Sequence, residues 1–200
     1  MAPVTDDPSP LVGARRPTAP AGGPETVSLE TVLAGRRSVR HFSAAPIDAE
    51  LLSRVFVRAM AAQQQQWPYP VHSDPGWRIL LAVRESDELH RWTPDGVCQV
   101  EGRPVLTDLV ADYADAPVLA LLCAPTEHVA SKAVGDLLVR AGSLGYALWL
   151  AARTHGLEAT VFGGAHTPLR LVSGMAKGHG RHLFTVALGY PEQHPASGRE

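Results

Sequence analysis

Two short stretches of this chain carry residue types whose order could do chemistry. The first is Arg36-Arg37-Ser38-Val39-Arg40-His41-Phe42. In an extended segment successive side chains alternate, so Arg36, Ser38 and Arg40 share one side while Arg37, Val39 and His41 share the other. Two guanidinium forks flanking a hydroxyl make an anion clamp suited to a phosphate; the competing reading is a solvated basic turn. The second stretch is Val161-Phe162-Gly163-Gly164. There a strand runs into two glycines whose backbone N–H groups can meet a planar ligand.

Other chemistries find little support. Nine histidines are present, and His155, His166, His179 and His182 lie close in sequence, yet none forms HExxH or another helical ligand pair, so no metal is expected. Cys98 and Cys123 are the only cysteines and neither sits in a CxxC arrangement; Cys123, within APVLALLCA, reads as a small apolar residue. A reducing cytoplasm is the simplest compartment. No G-x-S-x-G elbow, P-loop or dinucleotide fingerprint occurs. The formal charge of -2 gives no basic stripe for nucleic acid, and no apolar run approaches the roughly 20 residues of a membrane span. Arg15 and Arg16 are followed by PTAPAGGPE, without the apolar region of a secretory signal.

The elements that must position the two stretches follow from periodicity. Residues 1–25, rich in Pro, Ala, Gly and Asp, read as a disordered arm, and 26–200 as one domain. Ser28 caps a short helix before Gly35, and Asp48 caps a second with Leu51, Leu52, Val55, Phe56 and Met60 as its buried stripe. Residues 63–77, QQQQWPYPVHSDPGW, read as a polar loop. Strands are expected at 78–84, 118–123, 157–162 and 182–189, with either a hairpin or an irregular excursion at 97–105. A helix over 107–114 and another beginning at Thr167-Pro168 complete the set.

The longest element is KAVGDLLVRAGSLGYALWLAARTHG, residues 132–156, whose apolar residues recur at helical spacing up to the stop at Gly156. Its small residues leave room for another backbone to approach on several sides, although each interior glycine costs about 1 kcal/mol of helix propensity. Helices alternating with short buried strands indicate an α+β domain.

Taken together, the helix into RRSVRHF, the PID helix start, the polar loop before RILLAV, the AGSLGYALWLAARTHGL helix, the VFGG turn and the final VALGYP resemble the nitroreductase superfamily of flavin mononucleotide (FMN) enzymes. The resemblance implies a three-layer fold with a central, mostly antiparallel sheet flanked by helices, in an intertwined homodimer with FMN at the interface. It implies that Arg36, Ser38 and Arg40 contact the flavin phosphate and ribityl chain, and that Gly163 and Gly164 pass the isoalloxazine ring. Within the superfamily the chain is most similar to the azoline dehydrogenases of thiazole- and oxazole-modified peptides, through Trp67-Pro68-Tyr69-Pro70 and the Arg140–Ala152 helix. Their Lys-Tyr and Gln-Asn pairs fall here near His128-Val129 and on Tyr146-Ala147.

The expectation is therefore an FMN-dependent dehydrogenase acting on a peptide-derived or other bulky natural-product intermediate. His128 and Tyr146 are its candidate proton-transfer groups. Two alternatives stand beside it: an NAD(P)H-dependent nitro or enone reductase of the same fold, and a non-catalytic flavin-binding subunit serving a biosynthetic partner protein.

Overall fold

The computed structural model describes residues 28–35, 37–84, 89–101, 106–125, 127, 134–164 and 180–192. The arm at 1–25, the expected helix at Thr167-Pro168, Arg36 and His128 all lie outside them. In chain order the elements are α1 (Leu29–Ala34), α2 (Ala49–Gln66), α3 (Tyr69–His72), β1 (Arg78–Val83), β2 (Leu89–Thr93), β3 (Gly96–Glu101), α4 (Leu106–Asp112), β4 (Val118–Ala124), α5 (Val134–Thr154), β5 (Glu158–Phe162) and β6 (Arg181–Gly189).

The six strands form one sheet in the order β3-β2-β1-β4-β6-β5, each antiparallel to its neighbours. Strand β4 has all seven residues buried, because both faces of the sheet are covered. Ile79, Leu81, Ala120, Leu122, Val186 and Leu188 point to one face, where α2 and α5 pack on them. Leu80, Ala82, Leu119, Leu121 and Ala187 point to the other, against Leu109 of α4, Tyr113 and Phe42. The alternation follows from the period-two geometry of strands.

Caps behave as their residue types dictate. The Ser28 side chain accepts from Thr31 N, and Asp48 accepts from Glu50 N and Leu51 N. Helix α5 ends at Gly156, whose φ of 75° suits glycine, and Leu157 N donates back to Ala152 O at 3.1 Å.

Several expectations change. The glutamine run is not loop: α2 continues to Gln66, and Gln63 is buried, since Gln is a good helix former and nothing breaks the helix before Pro68. Of the 97–105 stretch, residues 97–101 lie in β3, the second strand of a hairpin with β2, and 102–105 fall outside the described residues; the sequence reading missed β2 among polar residues. On α5 not every apolar residue at helical spacing is buried: Leu138 is 51% exposed, and the buried stripe includes Arg140 and Trp149. Gly145 does not offer space to a second chain. A Cβ there would meet Phe184 of β6 at 2.8 Å, whereas Gly135 and Gly142 face open space.

Two tests follow from this packing. Gly145→Leu should overpack the α5–β6 contact and destabilise the fold by about 1–3 kcal/mol in chemical denaturation, whereas Gly142→Ala, freed of clash, should gain about 0.5–1 kcal/mol. The second concerns His182, buried on β6 with Nε2 at 3.0 Å from Thr185 Oγ1. Burial pushes its pKa down to about 4, opposed by a backbone hydrogen bond at Phe184. Because the folded pKa is depressed, stability is complete above the unfolded value of about 6.5 and falls as the pH drops towards 4, by about 3 kcal/mol. The urea midpoint of wild type should therefore fall across that window by more than that of His182→Leu; equal falls would show that His182 does not titrate in this way.

Candidate functional site

The described part of the arginine-rich segment, Arg37 to Phe42, is held through its backbone and its apolar side chains. After Gly35 the chain crosses to β5, where Val39 N donates to Thr160 Oγ1 at 2.8 Å and Thr160 Oγ1 donates to Val39 O at 2.6 Å. His41 and Phe42 then make isolated bridges to Asp115 and Pro191, and Ser43 N donates to Tyr190 O at 3.0 Å. Phe42 presses so closely on the end of β6 that a Cβ at Gly189 would lie 2.8 Å from its ring. With Val39 and Phe42 turned towards the core, Ser38 and Arg40 are exposed. The Arg40 guanidinium lies 5.6 Å from the centroid of the Phe162 ring, and among the described residues it has no carboxylate within ion-pair distance. Such an arrangement leaves its donors available to an anion.

Phe162 ends β5 and leads directly into Gly163 and Gly164. Both are exposed; nothing lies within 4 Å of a Cβ built on Gly163, and the nearest atom to one on Gly164 is Leu183 O at 3.6 Å. Thus the structure brings together Ser38, Arg40 and the two-glycine turn, which stand 120 or more residues apart in sequence. A guanidinium, a hydroxyl and an open stretch of backbone form a donor set that fits a phosphorylated ligand with a planar ring.

Tyr146 is elsewhere. It is 40% exposed on α5, edge-on to Trp149 at 5.7 Å, on the side of the sheet covered by α2 and α5. The Arg40–Phe162 pair belongs to the other side, where Phe162 packs with Tyr113. Tyr146 instead borders a cleft of about 540 Å³ between α2 and α5, with Arg58, Gln66, Ser143 and Leu150 among its walls. Within one chain the sheet separates Tyr146 from Arg40.

The sequence reading passed over Arg140. It is 4% exposed, and its side chain reaches under the α2–β1 connection, where Nη1 donates to His72 O at 2.9 Å and Nη2 to Ser73 O at 3.0 Å. The guanidinium carbon lies 5.8 Å from the Trp67 ring centroid; Gln63 Nε2 donates to the Arg140 carbonyl at 3.2 Å. The carboxylate of Asp136, itself mostly exposed, lies 3.9 Å from Nη1. Next to this grip Ser73 holds φ 60° and ψ 160°, a region that costs a non-glycine residue about 1–3 kcal/mol. The available signal was an arginine at a core position of the α5 stripe, flanked by Leu137, Ala141 and Leu144.

The profile of the Nitroreductase family matches residues 33–190. The chain belongs to the Nitroreductase family. It is an FMN-dependent oxidoreductase, and the donor set around Arg40 and Gly163 fits that cofactor. Among solved structures, it resembles a provisionally named nitroreductase from Ralstonia eutropha, with a TM-score of 0.66 at 16% identity over 92% of this chain and 89% of that one. Nitroreductase A from Vibrio parahaemolyticus gives 0.58 at 20% identity, over 86% and 70%. The NADPH:FMN oxidoreductase from Vibrio harveyi, complexed with NAD+, gives 0.54 at 18%, over 84% and 71%. No curated protein matches. These likenesses establish the fold and do not single out the azoline dehydrogenases.

Thr160→Val tests the placement of the clamp. It removes both bonds to Val39 and leaves that N–H and C=O without their partner, which should cost about 1–3 kcal/mol of stability and weaken flavin retention in the same variant. Denaturant titration with flavin absorbance measures both; a stable variant with wild-type flavin content would show that the pair does not position the segment.

Proposed function

We propose that this Nitroreductase-family chain is a dehydrogenase that oxidises a bulky, peptide-derived or other natural-product intermediate, working as a homodimer in the cytoplasm. Arg36, Ser38 and Arg40 would hold the FMN phosphate and ribityl chain, and Gly163 and Gly164 would admit the ring edge. The observation that supports the cofactor site in this reading is the double hydrogen bond between Val39 and Thr160, which sets the exposed Ser38 and Arg40 beside the end of β5; the substrate class rests on the resemblance of the Trp67–Pro70 and Arg140–Ala152 motifs to the azoline dehydrogenases.

In this reading the protein contributes position and charge. When bound, FMN supplies the hydride acceptor for breaking a substrate C–H bond. The Arg40 guanidinium offers charge-assisted hydrogen bonds to an anionic group, and Ser38 adds a neutral donor. The open backbone at Gly163 lets a flat ring approach without displacing a side chain. The proton lost alongside the hydride needs an acceptor, and His128 and Tyr146 are the candidates. The exposed Leu138, Val139 and Tyr146, with Gly135 and Gly142 open beside them on α5, form an apolar strip suited to a second copy. Tyr146 would serve the site only from such a partner, since its own chain places the sheet between it and Arg40.

That separation also favours the second reading, a flavin-binding subunit that serves a partner enzyme without turning over substrate itself. Reduction of bound flavin by NADH, NADPH or substrate separates the two, and flavin that none of them reduces supports the subunit.

The protein should purify yellow. Arg40→Ala should weaken FMN by about 1.5–3 kcal/mol, roughly 10- to 150-fold in Kd by fluorescence titration. A colourless protein that binds no added FMN would overturn the assignment of these residues, and a monodisperse monomer in sedimentation would remove the dimer.

A further inference from the structure

Resting on the flavin-dependent reading above, we propose that Arg153 is a positioning residue for the cofactor phosphate: from the last turn of α5 it pins the entry to the arginine-rich segment, so that Ser38 and Arg40 stand in place along β5 before the ligand arrives.

The segment follows β5 and is fixed at three levels of that strand. Near the end of β5 the Arg40 guanidinium lies over the Phe162 ring, and at its middle Val39 is bonded to Thr160. At its start stands Glu158, whose Oε2 accepts from Arg153 Nη1 at 2.6 Å, with both side chains mostly buried. Glu158, Thr160 and Phe162 are alternate residues of one strand and share a face. The second arm of the Arg153 fork reaches Gly35, the residue that ends α1 and precedes Arg36. The nearest atom to a Cβ built on Gly35 is Arg153 Nη2, at 2.8 Å. One planar group thus meets the strand with one nitrogen and the incoming chain with the other, and Arg153, Glu158, Thr160, Val39 and Gly35 form a closed circuit of contacts.

Gly35 shows that this contact constrains the segment. Its φ of -79° and ψ of 7° belong to a turn conformation that most residues adopt, so its backbone does not call for glycine. What excludes a side chain there is the close approach of the guanidinium. An ion pair serving only to close the turn between α5 and β5 would need a single charge opposite Glu158, which a lysine supplies; the planar fork adds the second contact. Held at Gly35 and at Val39, the stretch between them is ordered in advance, and a loop ordered in advance is spared the cost of ordering when its ligand binds. That gain falls on the phosphate held by the segment, not on a flat ring approaching Gly163.

Equilibrium dialysis of FMN and of riboflavin against full-length wild type, Arg153→Lys and Gly35→Ala provides the test, because the two ligands differ only in the phosphate. Wild type should prefer FMN. Arg153→Lys keeps the charge opposite Glu158 but not the second arm, and it should lower that preference about tenfold through weaker FMN binding, with riboflavin affinity held within about twofold. Hydrogen–deuterium exchange across residues 37–40 of the same variant without ligand should rise about tenfold. Gly35→Ala displaces the guanidinium from the other side of the contact and should shift both readouts in the same direction; it carries the test if the lysine variant does not fold. An unchanged preference, or an equal loss for both ligands, would make Arg153 a staple of the α5–β5 turn and overturn the proposal. A lowered preference without faster exchange would mean that Arg153 acts on the ligand directly, which also overturns the positioning role. A wild type that binds FMN no better than riboflavin would instead refute the phosphate clamp on which the proposal rests, and one that binds neither would refute the flavin site.

Discussion

Burial of β4 on both faces is the constraint from which the rest of the architecture follows. A strand reading VLALLCA has no polar side to give to water, so each sheet face needs its own cover. Helices α2 and α5 supply one. Among the described residues the other is covered by the short α4 and the residues beside it, and Val39 and Phe42 are drawn in to complete it. The arginine-rich segment is thereby pulled against the sheet by its apolar members, and its polar members are left facing outward. The geometry of the candidate cofactor site is a by-product of closing a core.

The same logic explains what could be read from the chain in advance. Strands with continuous apolar runs, helices with side-chain caps and the long α5 all announce themselves locally, and the family motifs ride on them. Strand β2 did not: LHRWT is short and its adjacent His90 and Arg91 break the polar/apolar alternation that marks a strand, so only its pairing with β1 and β3 defines it. The fate of the glutamine run depended on α2 having nothing to stop it before Pro68. Arg140 was illegible for a different reason. Its partners are backbone carbonyls, and which carbonyls converge on a side chain is a property of the folded chain rather than of any residue type.

Site residues were legible to different degrees. Alternation and glycine chemistry suggested what each stretch could do, but only the resemblance to the nitroreductase superfamily joined Ser38, Arg40 and the two glycines to one ligand; the structure sets them near one another through the Val39–Thr160 bonds and the Arg40–Phe162 contact. Tyr146 could not be placed, since helical spacing gives the face of a helix but not which side of the sheet that helix covers. Likewise, Gly145 and Gly142 are indistinguishable as small residues on α5, yet one is pressed against Phe184 and the other is open.

The two hydrogen bonds between Val39 and Thr160 span 121 positions of the sequence. During synthesis the arginine-rich segment therefore emerges long before the strand that anchors it, and β5 must in turn be held by β6, which comes later still. Closing so long a loop is entropically costly, and contacts of such separation form late. The candidate cofactor cradle is consequently among the last parts of the molecule to form, and a shortened or stalled chain that pairs β1 to β4 still lacks it. In the reading proposed above, retained colour would mark a finished chain.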